Sequence, residues 1–211
     1  MSKYLVFYLE IFLILVIPII LFMKDSQFLA SRPIVMALGG LYCSWRLWSR
    51  RATLASLGIH RAQFGRAIRA LAFPSFILII TIYLLFYLLP HNILQQFVGY
   101  DPLKVSSMSS LLLSYILFSV PIQELIFRGY FTWRLKQVFI SPQIIRLFSV
   151  VIFTAVHIPF YNPFLLLVSF TMGLLYIYNY QKYQNIFALM ISHSLVGVYG
   201  IIIRNAWFPY I

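Results

Sequence analysis

Apolar residues run along this chain in long blocks separated by short polar breaks. Seven blocks stand out: Tyr4 to Met23, Pro33 to Trp48, Leu71 to Leu89, Met108 to about Phe139, Pro142 to Ile158, Phe164 to Tyr180 and Gln184 to Ile203. A helix needs roughly 20 apolar residues to cross a bilayer. The pattern therefore predicts an all-α, polytopic membrane helix bundle of about seven transmembrane helices. The fourth block is longer than one span and changes character after residue 127, where Arg128, Arg134 and Lys136 follow an apolar beginning. It is expected to cross and then emerge at the membrane interface. Within it, Pro121 has no amide hydrogen and crowds the carbonyl one turn earlier, which predicts a kink near Pro121 and open space beside Glu124.

Composition fixes the solvent. The chain is 62% hydrophobic and 9% charged, with a mean hydropathy of +0.90, far from a soluble globular domain. No Ser/Gly-rich linker, low-complexity block or internal repeat divides residues 1–211, so a single integral membrane domain is expected. The first block has Lys3 before it, but Glu10 interrupts it and no small-residue cleavage site follows Met23, so it is expected to be retained as a helix. Cys43 is the only cysteine; it excludes an internal disulfide and reads as a buried structural thiol.

The net charge of +12 raises the question of nucleic acid, and membrane topology answers it. Lys and Arg collect in cytoplasmic loops. With the N-terminus inside, Lys3, Arg46, Arg50, Arg51, Arg61, Arg66, Arg69, Arg128, Arg134, Lys136, Arg146 and Lys182 all fall on the cytoplasmic side. Lys24, Arg32, Lys104 and Arg204 remain outside. The expected location is a bilayer, the cytoplasmic membrane in a prokaryote, with no nucleic-acid partner. Within the basic loop, GIHRAQFGRAIRAL (residues 58–71) mixes basic and apolar residues at helix-like spacing, a pattern suited to anionic headgroups. His60 has no apparent role there. The loop from Pro90 to Ser107 carries His91, Asp101 and Lys104, which read as solvated.

Ionisable residues inside a membrane are costly and face a bundle interior or a wet cavity. Glu124 stands in PIQELIFRGY, four residues before Arg128 and on the same helix face. A structural ion pair would account for those two alone. Depth adds more: Glu124 is ten residues from Arg134, His157 eleven from Arg146, and His193 eleven from Lys182. At about 1.5 Å per residue, one carboxylate and two imidazoles from three spans lie roughly 15–17 Å deep. Pro159 and Pro163 are expected to end the fifth helix just after His157. Glu10, near the start of the first helix, is expected to reach the interface.

These residues resemble the ordered motifs of the CPBP family (CAAX proteases and bacteriocin-processing enzymes, also called Abi or Rce1-like intramembrane proteases). QELIFRG is similar to a first motif of two adjacent glutamates, three residues and an arginine. FTAVH, Phe153 to His157, matches a second motif of Phe, three residues and His. His193 in SHSLVG matches the histidine of a third, which has Asn or Asp four residues later. The likeness covers about 110–200, the core that carries these motifs. Two positions depart: Gln123 replaces the first glutamate, and Gly197 the Asn or Asp.

The resemblance implies an intramembrane endopeptidase, glutamic or metallo in type, that hydrolyses a peptide bond in a membrane-associated or lipidated protein tail. It assigns catalysis to Glu124, His157 and His193, with Gln123, Arg128, Phe153 and Gly197 supporting. Glu124 and His157 would activate water, and His193 would stabilise the oxyanion. Gln123 cannot take a proton at neutral pH, and Gly197 brings no donor. A non-catalytic relative that binds a membrane segment or lipidated peptide in the same cavity is the alternative. No cofactor is expected; zinc on Glu124, His157 and His193 is a third reading, without a short-range ligand pair such as HExxH. A transporter would call for paired repeats, which the sequence lacks.

Overall fold

The computed structural model describes residues 3–25, 28, 31–98 and 107–208. Among them the chain is helical, with no strand. The main helices are α1 (Lys3–Lys24), α2 (Arg32–Ser49), α3 (Phe64–Leu88), α4 (His91–Val98), α5 (Met108–Val138), α6 (Pro142–Ala155), α7 (Pro163–Tyr183) and α8 (Ile186–Trp207). Six are long and apolar enough to cross a membrane: α1, α3, α5, α6 with its extension to Phe160, α7 and α8. The chain is an integral membrane protein. The remaining block, Pro33 to Trp48, does form a helix, but Gly39, Gly40, Ser44 and Arg46 make α2 less apolar than the other six.

Local chemistry sets the helix ends. Side-chain oxygens of Asn162 and Asn185 accept from the amides of Leu165 (2.7 Å) and Ala188 (3.0 Å), capping α7 and α8. Ser107 and Ser141 cap α5 and α6 in the same way. After α6 the backbone makes a single 3₁₀ turn, Ile158–Phe160, which contains Pro159 and ends before Pro163 starts the next helix, as the two prolines predict.

The bundle is organised around α5, which packs against α1, α2, α6 and α8; α3 packs along α8 and α7, and α6 along α7. Large apolar side chains point outward, among them Trp48, Phe73, Leu41 and Phe118. That is the expected surface where the surrounding medium is hydrocarbon. Close approach is achieved with small residues: a methyl group at Gly40 of α2 would stand 3.1 Å from Ile122 of α5.

Three expectations are corrected. First, α5 does not leave the bundle after residue 127. Ile126 to Thr132, Arg134, Leu135 and Val138 are all buried, because this half of α5 is surrounded by α1, α2, α6 and α8. Lys136 is exposed, but Arg128 and Arg134 are held inside by carboxylates. Secondly, residues 58–71 do not form one amphipathic helix. Gly58 (φ 74°) and Gln63 (φ 61°) are left-handed, and helix begins only at Phe64. The loop is instead fastened to the α7–α8 turn. Gly58 accepts from the amide of Ile186 (2.9 Å), and Asn185 Nδ2 donates to His60 O (2.8 Å) and Ala62 O (3.0 Å). Thirdly, the loop after α3 starts with helix α4, whose Leu94 and Val98 are buried. Asp101 and Lys104 lie outside the described residues.

Glu10 also differs from its expected place. It is 3% exposed, accepting from Arg134 Nε at 2.7 Å, Arg46 Nε at 3.0 Å and the Tyr42 hydroxyl at 3.3 Å. Arg134 Nη1 also donates to Gln137 Oε1 at 3.0 Å. One carboxylate thus ties α1, α2 and α5 together.

Candidate active site

Helix α5 is α-helical at Val120–Glu124 but widens to π-helical turns on either side, Tyr115–Ser119 and Leu125–Phe131. Such bulges often accompany functional sites. The first sits where the missing amide of Pro121 disrupts the bonding pattern. Glu124 lies at the junction before the second.

The carboxylate is completely buried. Its Oε1 is 2.7 Å from His193 Nδ1 on α8, and its Oε2 is 3.5 Å from Arg128 Nε. An ionised carboxylate only accepts. His193 Nδ1 therefore carries the hydrogen in this contact. Arg128, also fully buried, lies over the rings of Phe153 (4.2 Å) and Tyr176 (5.4 Å). None of its three nitrogens has a hydrogen-bond partner, so aromatic faces and the Glu124 charge hold it.

His157 follows the last turn of α6. Its Nδ1 is 2.9 Å from the carbonyl of Phe153. A carbonyl can only accept, so Nδ1 is the donor and the Nε2 lone pair is free in the neutral ring. Phe153 joins the groups: its ring centroid is 5.3 Å from that of His157 and 5.8 Å from that of His193, in addition to the arginine over its face. Glu124 and His193 are thus in direct contact, with His157 one ring away. His157 is the least buried of the three.

The supporting positions divide. Gln123 is half-buried and donates from Nε2 to Ser119 Oγ (2.8 Å) one turn back, consistent with its direction about 100° from Glu124. Gly197 lies one turn beyond His193. A Cβ there would collide with the Tyr115 hydroxyl, and the Tyr115 ring carbons would be 2.5 and 2.7 Å away.

The Glu124 carboxylate is enclosed, with His193 and Arg128 against it. A cavity of about 420 Å³ lies between α3 and α7, lined by Phe73, Ile77, Leu78, Phe164 and Thr171. No candidate catalytic residue lines it. No group of three His, Cys, Asp or Glu side chains among the described residues is arranged to hold a metal ion. His193 Nδ1 is already bonded to Glu124 and His157 Nδ1 to Phe153 O, so of the imidazole nitrogens only the Nε2 atoms remain as ligands.

Sequence reasoning missed the hydroxyls around His193. Ser192 Oγ lies 2.7 Å from Ser75 Oγ and donates to the Tyr176 hydroxyl at 3.2 Å. The Tyr176 ring is 5.7 Å from that of His193. Tyr115 meets the same imidazole edge-on at 6.1 Å. The signal available for Tyr115 was indirect, the glycine at 197.

Fold and site together define a helical membrane protein whose intramembrane core pairs a glutamate with a histidine, with a second histidine nearby. Residues 105–199 match the family model described as Type II CAAX prenyl endopeptidase Rce1-like. The matched stretch contains all three motifs, and over it the chain is similar to that family. No curated protein matches the chain, and no solved structure does.

Proposed function

We propose that this protein is an intramembrane endopeptidase that hydrolyses a peptide bond in a membrane-associated or lipidated protein tail. The observation that carries the reading is the Glu124–His193 contact beside a second histidine with a free Nε2. His157 Nε2 accepts a proton from water as its oxygen attacks the scissile carbonyl. His193, oriented through Nδ1 by Glu124, donates from Nε2 to the developing oxyanion when its ring carries the second proton. Collapse breaks the C–N bond, and His157 returns the proton to the leaving amine. The complete burial of Glu124 favours this division of labour over direct water activation by the carboxylate. The test is mass spectrometry of products from isoprenylated C-terminal peptides and bacteriocin-type precursors. Turnover by the wild type, lost in His157→Ala and Glu124→Ala, is expected. Products undiminished in His157→Ala would remove the assigned base.

A non-catalytic binding role is the second reading, supported by Gln123, bonded to Ser119, where the related motif has a glutamate. Proteolysis appearing only in Gln123→Glu would establish that role; strong wild-type turnover would exclude it.

A further inference from the structure

The collision at Gly197 shows that another side chain already occupies the place where a side chain at 197 would begin. That occupant is the hydroxyl of Tyr115, brought from α5 across to α8. Residues four apart lie one above the other on a helix face, so the hydroxyl stands one turn from His193, beside its imidazole. No described residue hydrogen-bonds this hydroxyl, and the tyrosine is only half-buried. It is thus a donor without a protein acceptor, next to a ring held by Glu124.

We infer that Tyr115 is a catalytic residue, its hydroxyl the second oxyanion donor beside His193 Nε2, taking the part that a polar side chain at 197 would otherwise play. This rests on the proposed hydrolysis. Gly197 is then no loss of a donor: the glycine admits the phenol. The step needs no covalent change at Tyr115. Its O–H donates to the carbonyl oxygen as negative charge develops and releases it when the C–N bond breaks.

The experiment uses the full chain in detergent micelles and an isoprenylated peptide that the wild type cleaves. Tyr115→Phe keeps the ring and removes only the donor. It is expected to lower kcat on the order of a hundredfold with KM nearly unchanged. It should also weaken binding of a phosphinate peptide, whose tetrahedral anion resembles the intermediate, by a similar factor. Tyr115→Ala vacates the space, and Tyr115→Ala with Gly197→Asn places an amide donor there; the double variant is expected to regain much of the lost kcat. Gly197→Asn alone should be inactive, because the phenol blocks the new side chain. Wild-type kcat and phosphinate affinity in Tyr115→Phe would overturn the inference and leave the hydrolase reading intact. Absence of wild-type cleavage of every peptide and precursor would overturn both.

Discussion

Glu10 and Glu124 are both buried carboxylates on apolar helices, yet their surroundings differ. Glu10 receives two arginines and a tyrosine hydroxyl, and both its oxygens are occupied. Glu124 receives one histidine at hydrogen-bond distance, and its other oxygen has only an arginine nitrogen at 3.5 Å. A buried charge with all partners supplied is a joint between helices. One left partly unsatisfied, with aromatic rings and histidines around it, retains capacity for a reacting group. The contrast separates architecture from chemistry in one molecule.

The largest effect should come from breaking the joint. Glu10→Ala leaves Arg134 and Arg46 without their carboxylate, a loss of about 3–5 kcal/mol for a buried pair. Thermal unfolding in detergent should show a large drop in Tm; an unchanged Tm would mean that the cluster does not hold α1, α2 and α5 together. Glu124→Gln should reverse the pattern, with turnover reduced on the order of a hundredfold or more and a smaller fall in Tm than Glu10→Ala. If its Tm fell further than that of Glu10→Ala, the assignment of roles would be inverted. His157→Ala removes one backbone hydrogen bond, worth about 1 kcal/mol, and should show the widest separation of activity loss from stability loss. The smallest effect is expected from Gly40→Ala on α2: overpacking against Ile122 should cost about 1 kcal/mol, measurable as a modest shift in Tm.

Much of the plan was legible because hydrocarbon leaves a coarse signature. Long apolar runs announced the helices, and equal distance from basic markers set Glu124, His157 and His193 at one depth. The pairing of Glu10 with Arg134 was not legible, since those residues are 124 apart in sequence and nothing local distinguishes an interfacial carboxylate from an enclosed one. The enclosure of Arg128 was hidden similarly: a basic residue near the end of an apolar run reads as an interface marker unless its neighbours are known. Tyr115 was obscured for a different reason. The chain has 15 tyrosines, and only the steric relation to Gly197, on a helix joined by no local sequence, singles one out.

Asn185 acts as a hinge pin at the foot of the helix that bears His193. Its oxygen caps that helix, while its nitrogen grips two carbonyls of the arginine-rich loop. The imidazole is eight residues further along, about 12 Å up a stiff rod. A small tilt at this single amide, from whatever pulls on the loop, would be levered into a displacement of the ring against its carboxylate.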